Sequence, residues 1–169
     1  MKTTLNLTIS DENWNDTLEN AQNISQSVFQ KVIEVIKPEF LDGKKDVCIN
    51  LELGNNEEIQ RLNKEFRNLD KPTNILSFAN LDDDEFWDIL PNANEVELGD
   101  IIIALETIID QSKEMEISFY DHYVHILVHG ILHLLGYDHI EEEDRIEMES
   151  LEIKILKEFN IDNPYEENE

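Results

Sequence analysis

His122, His125, His129, His133 and His139 are all the histidines of this chain, and they fall within eighteen consecutive residues. At about 100° per residue, positions 122, 125, 129 and 133 of one α-helix project within a sector of ~80°. Imidazoles four residues apart on such a face converge on one ion. A left-handed helix-ending turn at Gly136 would bring His139 back to it as a third ligand. Three neutral imidazoles with no thiol beside them suit Zn2+, one per chain, and they leave the fourth position open to water, as in catalytic rather than structural sites. A lone histidine on an apolar face is usually satisfied by a hydrogen bond and does nothing more. Several buried together beside Ile126, Leu127, Leu132 and Leu134 incur a desolvation cost that a shared ion offsets. The metal ligands are therefore expected to be His129, His133 and His139. His122 and His125 are left to supporting, substrate-facing or surface roles, and Asp138 either orients an imidazole or caps the turn.

The string His129-Gly-Ile-Leu-His133-Leu-Leu-Gly136-Tyr-Asp-His139 has the ligand spacing of the metzincin proteases. Those enzymes place a glutamate directly after the first histidine as general base, and here Gly130 stands there. A positioned base contributes roughly 10²- to 10⁴-fold in rate, so a peptidase lacking it would be badly handicapped. The spacing supports a metal site and argues against peptide hydrolysis.

The elements that must position these residues follow from periodicity. Leu5, Leu7 and Ile9 alternate as a strand, and Leu18, Ala21, Ile24, Val28, Val32 and Ile36 recur at helical spacing up to Pro38. Val47, Ile49, Leu51 and Leu53 alternate again, and Asn55 or Asn56 caps a helix carrying Ile59, Leu62 and Phe66. Ile75 to Phe78 and Ile101 to Leu105 read as short strands, with the acidic segment Asp82 to Glu97, which contains Pro91, as a loop between them. Glu106 to Met115 and Ser118 to Leu135 read as helices, and Glu141 to Phe159 as another with Ile146, Leu151, Ile155 and Leu156 on one side. This predicts an α+β single domain, a small mixed β-sheet packed with about five helices, one of them a zincin-like helix bearing the metal site. Residues 1–160 are expected to form the hydrolase domain and residues 161–169 a polar, loose, acidic tail.

Composition bounds the function. The chain has 169 residues, enough for one core, and a single Cys48, which can form no internal disulfide and reads as a plain core cysteine. The N-terminus lacks a secretory apolar stretch and no later run approaches the ~20 residues of a membrane span, so a cytoplasmic, membrane-free protein is expected. Thirty-nine acids against thirteen bases give a net charge of -26, which repels a polyanion overall. Arg61, Lys64, Arg67 and Lys71 nevertheless cluster, the first three aligned if one helix spans them, as a local stripe suited to phosphates. Each is otherwise an ordinary solvated side chain.

The histidine string, with Asn63-Lys-Glu-Phe-Arg67, Lys71-Pro-Thr-Asn-Ile-Leu-Ser-Phe78, Leu98-Gly-Asp-Ile-Ile102 and then Met148, Glu152, Ile155 and Leu156, resembles the YbeY family of bacterial ribonucleases. The resemblance spans roughly Leu51 to Leu156. It implies a zinc-dependent endoribonuclease that prefers single strands and acts in ribosomal RNA processing, notably at the small-subunit 3′ end, and in ribosome quality control. Its partners would be single-stranded and ribosomal RNA, with the ribosomal small subunit a candidate. By position it makes His129, His133 and His139 the zinc ligands and Arg67 the functional arginine, all four catalytic, and it aligns His125 with a histidine of some members. A non-catalytic ribosome-associated zinc protein is the alternative reading, and a zinc peptidase a more distant one.

Overall fold

The alternating apolar residues of the first segments become β1 (Lys2–Ile9) and β2 (Asp46–Gly54), each with one inward and one outward set. In this computed structural model, which describes residues 1–166, these two strands pair in parallel. β2 also pairs in parallel with β4 (Glu95–Ala104), while β3 (Ile75–Ala79) runs antiparallel to β4. The order β1-β2-β4-β3 makes the expected small mixed sheet and leaves β3 at an edge.

Seven α-helices occur among the described residues, where about five were expected. They are α1 (Trp14–Thr17), α2 (Ala21–Ile36), α3 (Asn56–Arg67), α4 (Asp84–Ile89), α5 (Leu105–Glu114), α6 (Phe119–Leu134) and α7 (Glu142–Lys157). The unanticipated pair, α1 and α4, are 4 and 6 residues long, too short for a periodic signal.

The segment from Asp82 to Glu97 is not the loop its composition suggested. The Asp83 side chain accepts the Glu85 N–H and caps α4, whose Phe86 and Trp87 pack edge-on against Phe40, and β4 already begins at Glu95. Val96 and Leu98 are buried between exposed Glu95 and Glu97, a strand alternation hidden in a run of acids.

Helix α6 runs through the core. Ser118 caps it by accepting the Asp121 N–H, and Tyr123, Val124, Ile126, Leu127, Val128, Ile131, Leu132 and Leu134 are all buried along it. A helix apolar nearly all round must be enclosed, and this one lies against α2, α5, α7, β3 and β4. Its N-terminal turns are held by Trp14, whose indole donates to Gly54 O at 2.8 Å and whose ring meets Phe119 and Tyr123 edge-on. Tyr123 in turn shares a buried 2.7 Å hydrogen bond with Ser25 of α2.

The other face of the sheet is different. α3 covers one end of it, placing Ile59 and Leu62 against Leu76, Phe78, Ile102 and Ala104. The remainder presents Asp46, Glu52, Glu95, Glu97 and Asp100, and Asn50 donates to both Glu97 and Asp100. Cys48 is on this face too, half-buried rather than in the core, and burial together with Glu97, Asp46 and Glu95 raises its thiol pKa.

The Ser25–Tyr123 bond yields a stability test. Tyr123→Phe leaves the buried Ser25 hydroxyl unsatisfied and should lower unfolding free energy by about 2 kcal/mol, while adding Ser25→Ala should recover most of that loss. Urea unfolding of the parent, the single and the double variant measures both.

Candidate metal centre

Helix α6 stops in a way that builds the centre. Gly136 takes φ +98°, its N–H bonds His133 O at 3.0 Å, and the Tyr137 N–H bonds Leu132 O at 3.1 Å. These are the two bonds of a Schellman turn, which reverses the chain at a residue without Cβ. The reversal returns His139 to the histidines of the last helical turns. Ring centroids lie 4.6 Å apart for His129 and His133, 5.4 Å for His129 and His139, and 5.2 Å for His133 and His139. One nitrogen from each lies within 4.8 Å of the others, and His129 Nε2 and His133 Nε2 face each other at 3.0 Å.

A carboxylate stands behind this triangle. Met148, Glu152, Ile155 and Leu156 form the buried stripe of α7, and Glu152 has 0% exposure. His129 Nδ1–H donates to Glu152 Oε1 at 2.8 Å, His125 Nε2 lies 3.3 Å from the same oxygen, and the Tyr165 hydroxyl donates to Oε2 at 2.5 Å. Burial on its own would raise the Glu152 pKa, but hydrogen bonds from His125, His129 and Tyr165 outweigh it and hold the carboxyl at about 2. A carboxylate can only accept, so the proton on His129 sits at Nδ1 and its Nε2 lone pair faces the triangle. Burial first, and then the charges of His129 and His139, push His133 down to about 4. Its ring is thus neutral at neutral pH, as a ligand must be.

This backing was not read from the sequence. Glu152 was noticed only as part of a resemblance, and the side of α7 assigned to the core included Ile146, which is 53% exposed. Residues 161–169 were set apart as a loose tail. Of these, residues 167–169 lie outside the described ones, whereas Ile161 is buried and Tyr165 reaches Glu152.

Gly130 is explained by packing. A Cβ there would lie 2.5 Å from Ile75 Cδ1, 3.2 Å from Ser77 Oγ and 3.3 Å from Ile101 Cδ1. The space where a metzincin glutamate would stand is filled by the edge strand β3.

The triangle opens into a cleft of about 530 Å³ lined by Arg67, Ser77, Asp82 and the three histidines, among others. Arg67 ends α3, its guanidinium donates to Ser77 O at 3.3 Å, and it lines the same cleft as the histidines. The rest of the expected basic stripe is not gathered here. Arg61 pairs with Glu65 at 3.6 Å and Lys64 with Asp70 at 4.0 Å, while Lys71 lies beyond the left-handed Asn68 that ends α3. Asp138 Oδ1 accepts the Ile140 N–H, a turn-capping contact. His122 is outside the triangle, bonded to Gln111 at 2.8 Å, and burial, then His125, lowers its pKa to about 4.

Fold and site together define an α+β domain with a three-histidine centre at the end of a buried helix. The family model described as Endoribonuclease YbeY matches residues 8–160. An Endoribonuclease YbeY of Francisella philomiragia is 45% identical over 129 residues, covering 72% of this chain and 75% of that protein. One from Francisella tularensis subsp. novicida is 42% identical over 147 residues, 86% of each. The solution structure of TM1509 from Thermotoga maritima shares the fold, with a TM-score of 0.54 and 23% identity over 98% of this chain and 97% of that one. The chain belongs to the YbeY family.

The packing at Gly130 can be tested directly. Gly130→Ala should be tolerated once the Ile75 methyl turns aside, whereas Gly130→Glu, which forces a carboxylate against β3, should cost about 3 kcal/mol of stability and yield no peptidase activity. Urea unfolding and a casein digestion assay read the two outcomes.

Proposed function

We propose that this chain is a zinc-dependent endoribonuclease that cleaves single-stranded RNA in ribosomal RNA processing, notably at the small-subunit 3′ end, and serves in ribosome quality control. Its hydrolase domain is residues 1–160, its compartment is the cytoplasm, and the ribosomal small subunit is its candidate partner. The relatives' name supplies the class of reaction. The observation that carries the reading is that Arg67 and the three histidines line one cleft.

The donor set suits zinc: three imidazole nitrogens, one with its lone pair aimed inward by Glu152, and no thiol or carboxylate in the group. When bound at His129, His133 and His139, such an ion supplies Lewis acidity toward a phosphoryl oxygen and acidifies water. The protein's own part is then positional. Arg67 spends one N–H on Ser77 O, and its remaining donors match the oxygens of a phosphodiester lying between it and the histidines. As negative charge grows on those oxygens in the transition state, the guanidinium tethered to Ser77 O stabilises it. Asp82 and Asp138 also line the cleft, and the field of acids further off than a Debye length of ~8 Å is largely screened.

Two variants test this reading. His133→Ala should lose the metal, and elemental analysis finding as much zinc as in the parent would rule out the ligand assignment. Arg67→Ala should keep zinc content and melting temperature while cleaving single-stranded RNA at least ~10-fold more slowly, about the scale of one lost charged contact. Unchanged cleavage on a gel, or loss of zinc and unfolding, would make this arginine structural.

A further inference from the structure

The triangle and its cleft account for His129, His133, His139 and Arg67, but not for Tyr165. This residue belongs to the segment after α7, where an exposed polar tail has no reason to return to the core. It does return: Ile161 is buried, and the Tyr165 ring stands edge-on to His125 with centroids 5.6 Å apart and planes at 88°. Its hydroxyl donates to Glu152 Oε2 at 2.5 Å and lies 3.3 Å from His125 Nε2. Tyr165 also lines a second depression, with His129, His139, Arg145, Glu149 and Glu152, behind the triangle.

We propose that Tyr165 is a positioning residue for the metal centre, the C-terminal segment acting as a strap whose hydroxyl holds Glu152 in the orientation that keeps His129 Nε2 turned inward. The argument is one of donors and acceptors. A buried carboxylate is tolerated only when both oxygens are satisfied. Oε1 is served by the two histidines, and the hydrogen bond to Oε2 among the described residues comes from Tyr165. Remove that hydroxyl and Oε2 must find another donor, either by turning the carboxylate away from His129 Nδ1 or by admitting water from the depression behind it. Either change loosens the bond that sets the His129 tautomer. Partners of this outer kind typically change metal affinity 10- to 100-fold. The relay runs Tyr165, Glu152, His129 and uses groups from three parts of the chain, so no local motif announces it.

This inference rests on the metal reading above, and its test separates the two. Zn2+ affinity is measured in the full chain by competition with a chromophoric chelator, for the parent, Tyr165→Phe, Glu152→Gln and the double variant. Tyr165→Phe should weaken binding by about 10-fold, Glu152→Gln by 10- to 100-fold, and the double variant should be no worse than Glu152→Gln, because the tyrosine acts through the carboxylate. In metal-free protein the His129 ring nitrogens, followed by 15N NMR, should show the proton at Nδ1 in the parent and a mixture of tautomers in Tyr165→Phe. A parent that takes up no Zn2+ defeats the metal reading and the relay with it. A parent that binds while Tyr165→Phe matches it within twofold overturns the relay alone. So does a lowered melting temperature with unchanged affinity, which would make the strap purely structural. Additive losses in the double variant would also overturn it, by showing that the tyrosine does not work through Glu152.

Discussion

Glu152 is a charged group with no access to solvent, and much of the centre is arranged around making that tolerable. A buried carboxylate demands donors, and here they are an imidazole of α6, a second imidazole one turn earlier and the hydroxyl of Tyr165. Each of these bonds fixes something else. The one to His129 orients a nitrogen into the triangle, the contact with His125 ties in the turn of α6 before it, and the one to Tyr165 returns the chain's end to the core. The packing of α7 on α6 is therefore both a hydrophobic contact, through Met148, Ile155 and Leu156, and an electrostatic one. An apolar residue at 152 would preserve the first and abolish the second.

Much of this was legible in the sequence where the signal was local. The i, i+4 pair His129 and His133, the glycine three residues past His133 and the Asn55 cap are each local signals, and the structure brings the pair together with His139, puts Gly136 at positive φ and has Asn55 capping α3. The mixed sheet followed from two clear alternations and two short apolar runs. What could not be read was long-range or disguised. Glu152 occupies an i+4 position in the stripe begun by Met148, but a glutamate in a stripe is normally counted as surface, and of the side expected to face the core only Ile146 is exposed. The first half of β4 was hidden because its outward residues are all acids. Among the four clustered bases Arg67 was set apart by the resemblance alone, and the bond that holds it to Ser77 O is one that no pattern in α3 encodes.

The net charge of -26 also reads differently once the sheet is seen. Parallel pairing brings Asp46 beside Glu95 and Asn50 beside Asp100 in register, so carboxylates gather in rows on the face that no helix of the core layer covers. Asparagines are interleaved with them and bridge the side chains. The helical layer, which carries the histidines, is separated from those rows by the thickness of the sheet. The strand period of two sends Asp46, Glu52, Glu95, Glu97 and Asp100 to that side, away from the histidines, whereas Asp82 and Asp138 line the cleft itself.

The Schellman turn after His133 has a consequence for how the site comes together. The entropy of closing a loop grows with the logarithm of its length, about 0.6 kcal/mol per doubling. His129 and His139 are ten residues apart, so their approach needs little more than one helix end and its reversal. Glu152 lies 23 residues from His129, and Tyr165 lies 40 from His125. Arg67 lies 62 residues before His129, which adds about 1.5 kcal/mol to its closure relative to the histidine pair. The histidine triangle is thus the part of the site least exposed to disturbance elsewhere in the fold. The far wall of the cleft, which depends on α3 and β3 being docked, is the part that any loosening of the molecule removes first.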